Sequence, residues 1–344
     1  MKKTTLKDLS KALNLSCSAV SAAMNKRPNI SSATQARVRK MADEMGYAPD
    51  ARITQLMSYL RTGKSPQNRP NLAWLYWAKK SDDHESKPWV KGYLEGARKR
   101  ATELGYAIDP IWLDSPNFPT QRLNSILAAR GIKGVIFLNF IWPSPLLERY
   151  LDWSKFALAS LEGNSNDTGI PHVGCIGVKS IQIVFENLLR LGYKRPGLVV
   201  GGWVNHSHDC HWTAGFLQQQ RQLSEADRVP ILESDSWQSA LPEWMRAHRP
   251  DVVICSSNET IGYLNDSGFK VPEDVAVAHI NVCSDVSGWA GIDELHEQIG
   301  SAAVDVVTAQ LNRGEKGLNP NSKLIYIQGA WVDGWTCPPR LVTT

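Results

Sequence analysis

Two stretches of the chain concentrate side chains that act at contact distance. Ser16-Cys-Ser-Ala-Val-Ser-Ala-Ala-Met24 is small and polar, and near it stand Thr5, Lys7, Asn25, Arg27 and Thr34. Hydroxyls, amides and cations of this kind hold phosphate oxygens. The second stretch, Asn205-His-Ser-His-Asp-Cys-His211, packs three imidazoles, a carboxylate and a thiol into one expected loop. Those groups ligate zinc or nickel, yet their spacing follows no standard metal motif. Hydrogen bonding to a small molecule or to neighbouring residues is therefore the preferred reading of the His206–His211 stretch, and metal sensing the alternative. Charge separates the two stretches. Residues 1–61 hold eleven Lys and Arg against four acids, a net of +7, in a chain whose total is +4. A polyanion partner is expected for the first segment and none for the rest.

The first stretch needs helices to present it. Thr5 lies three residues before Asp8 and just ahead of Leu6, Leu9 and Leu13, which is the pattern of a capping box opening a helix. Asn14 and Leu15 interrupt it. Ser16 starts a second helix with Val20, Ala23 and Met24 facing inward and Cys17, Ser18, Ser21 and Ala22 facing outward. Ser31 starts a third that carries Val38, Met41, Ala42 and Met45 on one face and stops at Gly46. Three short helices around one small core are predicted. From Pro49 to Pro70 the character changes: Asp50–Leu60 has helical spacing, and Thr62-Gly-Lys-Ser-Pro-Gln-Asn-Arg-Pro70 is a polar linker.

The run Thr5-Leu-Lys-Asp-Leu-Ser-Lys-Ala-Leu-Asn-Leu-Ser-Cys-Ser-Ala-Val-Ser-Ala-Ala-Met-Asn25, then Asn29-Ile-Ser-Ser-Ala-Thr-Gln-Ala-Arg-Val-Arg-Lys40, then Met45-Gly-Tyr-Ala-Pro-Asp50, resembles the DNA-binding domain of the LacI/GalR family of bacterial repressors. The resemblance implies a helix-turn-helix whose second helix enters the major groove of a pseudo-palindromic double-stranded operator, one half-site for each subunit of a homodimer. Lys7, Ser16, Ser21, Asn25, Arg27 and Thr34 are then candidates for phosphates, and Cys17, Ser18 and Ala22 for base edges. Family members commonly place a guanine-gripping arginine where this chain has Ala22. Specificity is expected to lean on thymine-methyl contact and on deformability of the central step. The resemblance also makes residues 49–70 a hinge, with Leu56 at the position of a leucine that wedges into the minor groove. The bland alternative has Leu56, Met57 and Leu60 docking on the following domain, and Ile53 departs from the small alanine usual there.

Beyond Asn71 short apolar runs alternate with amphipathic helices. Strands are expected at 72–77, 106–113, 134–139, 156–160, near Val173, 198–200, 252–255 and 275–280, with helices at 89–105, 120–130 and 180–191. The helix at 89–105 should bury Tyr93, Ala97 and Leu104. Two such series predict an α/β chain: two doubly wound parallel-sheet subdomains with a ligand cleft between them. The family resemblance, looser here, runs through Trp89-Val-Lys-Gly-Tyr-Leu-Glu-Gly-Ala97, Leu191-Gly-Tyr-Lys-Arg-Pro-Gly197 and Gly268-Phe-Lys-Val-Pro-Glu-Asp-Val-Ala-Val277. It implies a type I periplasmic-binding-protein-like domain that closes over an effector. Trp212 stands where relatives carry an effector-clamping arginine, and Asn281 where they often place an aspartate. Thirteen tryptophans are many for this length. Most serve as core, but Trp77, Trp89, Trp203 and Trp212 fall at strand ends or strand-to-helix loops, as does Trp74. With His206, His208, Asn258 and Asn281 they are the candidate effector contacts, and flat apolar faces rimmed by polar groups suit a saccharide or an aromatic ring.

The expected organisation is residues 1–48 for DNA, 49–70 as hinge and linker, and 71–344 for effector binding and dimerisation. Within the last, 71–175 with 297–320 would form one subdomain and 176–296 with 321–344 the other. No membrane-length apolar run, secretory leader, C-x-x-C pair, cofactor fingerprint or catalytic motif is seen. A cytoplasmic, non-enzymatic regulator without a cofactor is expected, the alternative being an effector-blind DNA-binding dimer.

Overall fold

The computed structural model describes residues 4–24, 30–47, 69–76, 87–113, 120–138, 151–162 and 169–340. Contacts divide the chain into two units, Met1–Asn68 and Arg69–Thr344. In the first, α1 (Leu6–Leu13), α2 (Cys17–Met24) and α3 (Ser32–Glu44) follow the three start signals. The Asp8 N–H donates to Thr5 Oγ1 and the Thr5 N–H to Asp8 Oδ2, completing the capping box. Such a cap contributes about 1 kcal/mol. Asn14 ends α1 at φ 50, a left-handed conformation that asparagine tolerates better than most side chains. The Ala19 N–H donates to Ser16 Oγ at 3.1 Å and the Thr34 N–H to Ser31 Oγ at 3.3 Å, opening α2 and α3. Leu9, Leu13, Val20, Ala23, Val38 and Ala42 form the buried core, with Met24, Met41 and Met45 half-buried on its rim. Arg37 donates to the free carbonyl of Leu13, and Thr4 to that of Met45.

The second unit alternates strands and helices in the expected α/β manner. Its elements begin with β1 (Asn71–Tyr76), α4 (Pro88–Glu103), β2 (Ala107–Trp112), α5 (Thr120–Ala129), β3 (Gly134–Leu138), β4 (Ala157–Leu161), β5 (His172–Cys175) and α6 (Gly177–Arg190). They continue with β6 (Pro196–Val200), α7 (Gly202–Ser207), α8 (His211–Gln220), β7 (Leu232–Glu233), α9 (Trp237–His248), β8 (Val252–Cys255), α10 (Thr260–Asp266) and β9 (Ala276–His279). The last are β10 (Ala290–Asp293), α11 (His296–Arg313), β11 (Leu324–Ile327) and β12 (Ala330–Val332). Two six-stranded sheets result, ordered β11-β5-β4-β3-β1-β2 and β12-β10-β9-β8-β6-β7, parallel except for β10 against β12. Each sheet is covered on both faces, which explains its continuous apolar strands. Leu72 and Trp74 of β1 point into one core and Ala73 and Leu75 into another; Val252 and Ile254 of β8 are likewise separated from Val253 and Cys255.

Two expectations need correction. Leu104 is exposed, because α4 ends at Glu103 and Leu104 is its cap, outside the buried stripe. Residues 324–327, expected with the second subdomain, pair in parallel with β5 of the first sheet, so the chain returns there once more before β12 joins the second sheet.

One helix pair depends on glycine for its closeness. Gly96 of α4 and Gly300 of α11 are where these helices touch: a Cβ on Gly96 would sit 1.9 Å from the Glu297 carbonyl oxygen, and one on Gly300 1.9 Å from that of Tyr93. Backbone-to-backbone packing this close admits only glycine. It sets Tyr93 on α4 edge-on to His296 at the start of α11, with ring centroids 4.9 Å apart.

Candidate functional site

A cleft of about 370 Å³ opens in the second unit where strands of both sheets end. Its first wall comes from the start of α4, with Lys87, Trp89 and Tyr93, and from Glu162 just past β4. The second comes from α7 and α8, with Trp203, Val204, Ser207, His208 and Trp212. Ser256 after β8, Ile280 and Asn281 after β9, and Glu294 after β10 complete it. Carboxyl ends of parallel strands are where open α/β sheets bind ligands, because loops there diverge and leave a crevice.

The backbone around the cleft is held in an uncommon state. Glu162, Asp209, Cys210 and Leu295 have φ between 50 and 58, the left-handed region that non-glycine residues enter at a cost of order 1–3 kcal/mol. Each sits at a turn that aims a cleft residue or its neighbour. Glu162 is 4% exposed, and its Oε1 accepts from the Cys175 N–H at 3.0 Å. Burial, and then the facing Glu294, push its carboxyl well above the usual carboxylate range. Burial and the same two carboxylates push the Tyr93 hydroxyl up. Glu294 is 6% exposed, with His296 Nε2 3.7 Å from its Oε2. His208 stacks on Trp212 at 4.4 Å, and its Nδ1 lies 2.8 Å from the Val204 carbonyl. Burial pushes its imidazole below the ordinary value. Gly177 lets this wall approach, since a Cβ there would meet Trp212 at 2.9 Å.

The structure thus brings together Trp89, Trp203, His208, Trp212 and Asn281 of the residues singled out in the sequence. His206 is exposed on α7 and outside the cleft lining, and Asn258 is exposed and hydrogen-bonded to Asp285. Trp77 lies outside the described residues, and Trp74 is wholly buried core. The segment 205–211 is not one loop. Gly202–Ser207 is helical, opened by the Trp203 N–H donating to Asp235 Oδ1 at 2.7 Å, and the turn to α8 closes with the Cys210 N–H on the Asn205 carbonyl. Asn205 is spent inside, donating to Thr213 and Glu233. His206 is turned out to solvent while His208 and His211 line a common pocket with His172, and no group of three His, Cys, Asp or Glu side chains able to hold a metal occurs among the described residues. Tyr93, Glu162 and Glu294 escaped the sequence reading, and no local motif marks either acid.

In the first unit Cys17 and Ser18 are exposed on α2, with Ser21 and Ala22 half-buried beside them. The Cys17 thiol donates to Ser10 Oγ at 3.3 Å, tying the outward face to α1. Ser16 Oγ lies 2.9 Å from Ser18 Oγ, Thr34 Oγ1 shares the cap of α3 with Ser31, Thr5 is engaged in its own cap, and Lys7 is exposed. Asn25, Arg27 and Leu56 lie outside the described residues.

Residues 5–50 match the family model for bacterial regulatory proteins, lacI family. The chain is 27% identical over 200 residues to the HTH-type transcriptional regulator MalR of Streptococcus pneumoniae, a match that spans 57% of each chain and so little more than half of MalR's length. It is 28% identical over 298 residues to the HTH-type transcriptional regulator DegA of Bacillus subtilis, 80% of each. Among solved structures, a complex of the transcriptional regulator CelR with cellobiose aligns with a TM-score of 0.59 at 16% identity, over 97% of this chain and 100% of CelR, a likeness of fold.

Proposed function

Because the chain belongs to the lacI family of bacterial regulatory proteins, we propose that it is a dimeric repressor, not an enzyme, whose operator affinity is set by a small molecule, of saccharide type, in the cleft. Residues 1–48 bind the operator, 49–70 form the hinge, and the remainder binds the effector and the second subunit. The carrying observation is the cleft itself: three indoles and a phenol line it with two carboxyl groups, an amide and two serine hydroxyls in a volume suited to a sugar. The CelR neighbour was solved with cellobiose. The cleft's walls come from both sheets, so a ligand that contacts both favours one degree of closure over another. That differential fit, carried to the paired hinges, couples the effector to DNA.

Thermal-shift screening against saccharides, purines and divalent metals tests the effector. A saccharide that raises Tm supports it, stabilisation by none removes it, and stabilisation by metal alone replaces it with a metal-responsive regulator. Trp203 is 59% exposed, so Trp203→Ala should leave the unliganded Tm unchanged. It should weaken binding of the stabilising saccharide about tenfold, near 1.4 kcal/mol; equal affinity would remove Trp203 from the site. On the DNA side, Ala22→Arg supplies the bidentate donor that the outward face of α2 lacks, and it should shift the half-site selected from random duplexes toward G. An unchanged half-site would displace Ala22 from the base-reading face.

A further inference from the structure

We infer that the cleft is built for a cationic, amine-bearing sugar in preference to a neutral one. The inference rests on the reading of the cleft as the effector site. Glu162 and Glu294 both line it and both are more than nine-tenths buried. Glu162 has a backbone donor in Cys175. Glu294 takes no hydrogen bond from the described residues, and the His296 Nε2 that stands 3.7 Å away is itself buried without a hydrogen-bond partner. Lys87, the one lysine or arginine among the described lining residues, is exposed, with its ammonium 5.7 Å from the Trp89 ring centroid at the rim.

Removing a carboxylate from water without a cation to face it costs several kcal/mol. A neutral sugar leaves that cost standing. An ammonium group set between the two carboxylates offsets it through charge-assisted hydrogen bonds, which are roughly twice as strong as neutral ones. The surrounding rings reinforce the choice of sign, since the indole faces of Trp89, Trp203 and Trp212 attract cations and repel anions. Burial and Glu294 push the Glu162 carboxyl up, and a cation beside it would favour its charged form. Asn281 and Ser256 supply the neutral donors and acceptors that sugar hydroxyls need.

Isothermal titration of the full-length protein with matched pairs tests this: glucose and glucosamine, galactose and galactosamine, mannose and mannosamine, cellobiose and its diamino counterpart. The amino member of at least one pair should bind at least tenfold tighter than its neutral partner. Glu294→Gln, which keeps shape and removes charge, should abolish that preference, as should Glu162→Gln. Neutral members that bind as well as their amino partners overturn the inference and leave the cleft as an effector site. An amino preference that survives in both variants also overturns it, because these carboxylates would not be its source. If no member of any pair binds, the saccharide reading and this one fall together.

Discussion

Leu9→Ala should abolish operator binding and leave ligand binding in the cleft unchanged. Leu9 is fully buried at the centre of a core of six residues shared by three short helices. Truncating a buried leucine costs about 2–5 kcal/mol, and a core this small rarely supplies more than about 3–5 kcal/mol. The substitution therefore consumes most of the stability that holds α2 against α1 and α3. The cleft belongs to the other compact unit, with separate cores, so its affinity should not move. Gel retardation and titration calorimetry on the same preparation read both effects. Wild-type DNA affinity would show that the helices are held by something other than this core.

Gly300→Ala should damage the cleft from a distance. The added carbon would lie 1.9 Å from the carbonyl oxygen of Tyr93 and 2.8 Å from its carbon, backbone that cannot swing aside as a side chain could. The α4–α11 contact must open. Overpacking of this sort typically costs about 1–3 kcal/mol, which for a unit of this size lowers Tm by several degrees. The functional effect should exceed the stability effect. Tyr93 and His296 ride on the two helices forced apart, and they are the neighbours of Glu162 and Glu294. Ligand affinity should fall at least tenfold; a variant with wild-type Tm and affinity would mean that the helices do not meet as closely as described.

What could be read from residue order and what could not divide along physical lines. The caps at Thr5, Ser16 and Ser31 are local devices, a side chain meeting an amide two or three residues on, so the three helices were legible almost to the residue. The strand at Val252–Cys255 is an uninterrupted apolar run bounded by polar residues, and it too was legible. The second unit's fold class followed from such runs alternating with amphipathic stretches. Glu162 and Glu294 are different. Nothing within several residues of either announces a site, because what makes them one is the convergence of β4, β10 and α4, set by sheet order rather than spacing. The His206–His211 stretch divides: a short helix whose first amide bonds Asp235 from a distant loop leaves His206 exposed, while His208 lines the cleft. The return of β11 to the first sheet was hidden for the same reason, since Leu324–Ile327 has no pattern that tells one sheet edge from another.

Selection of the full-length protein against a library of random duplexes, repeated at two salt concentrations, is the most direct test that this chain is a symmetric, sequence-reading DNA-binding regulator. A two-fold symmetric site should be recovered, with retention that weakens steeply as salt rises, since each phosphate contact displaces condensed counterions. Recovery of no symmetric site, or retention indifferent to salt, would contradict it.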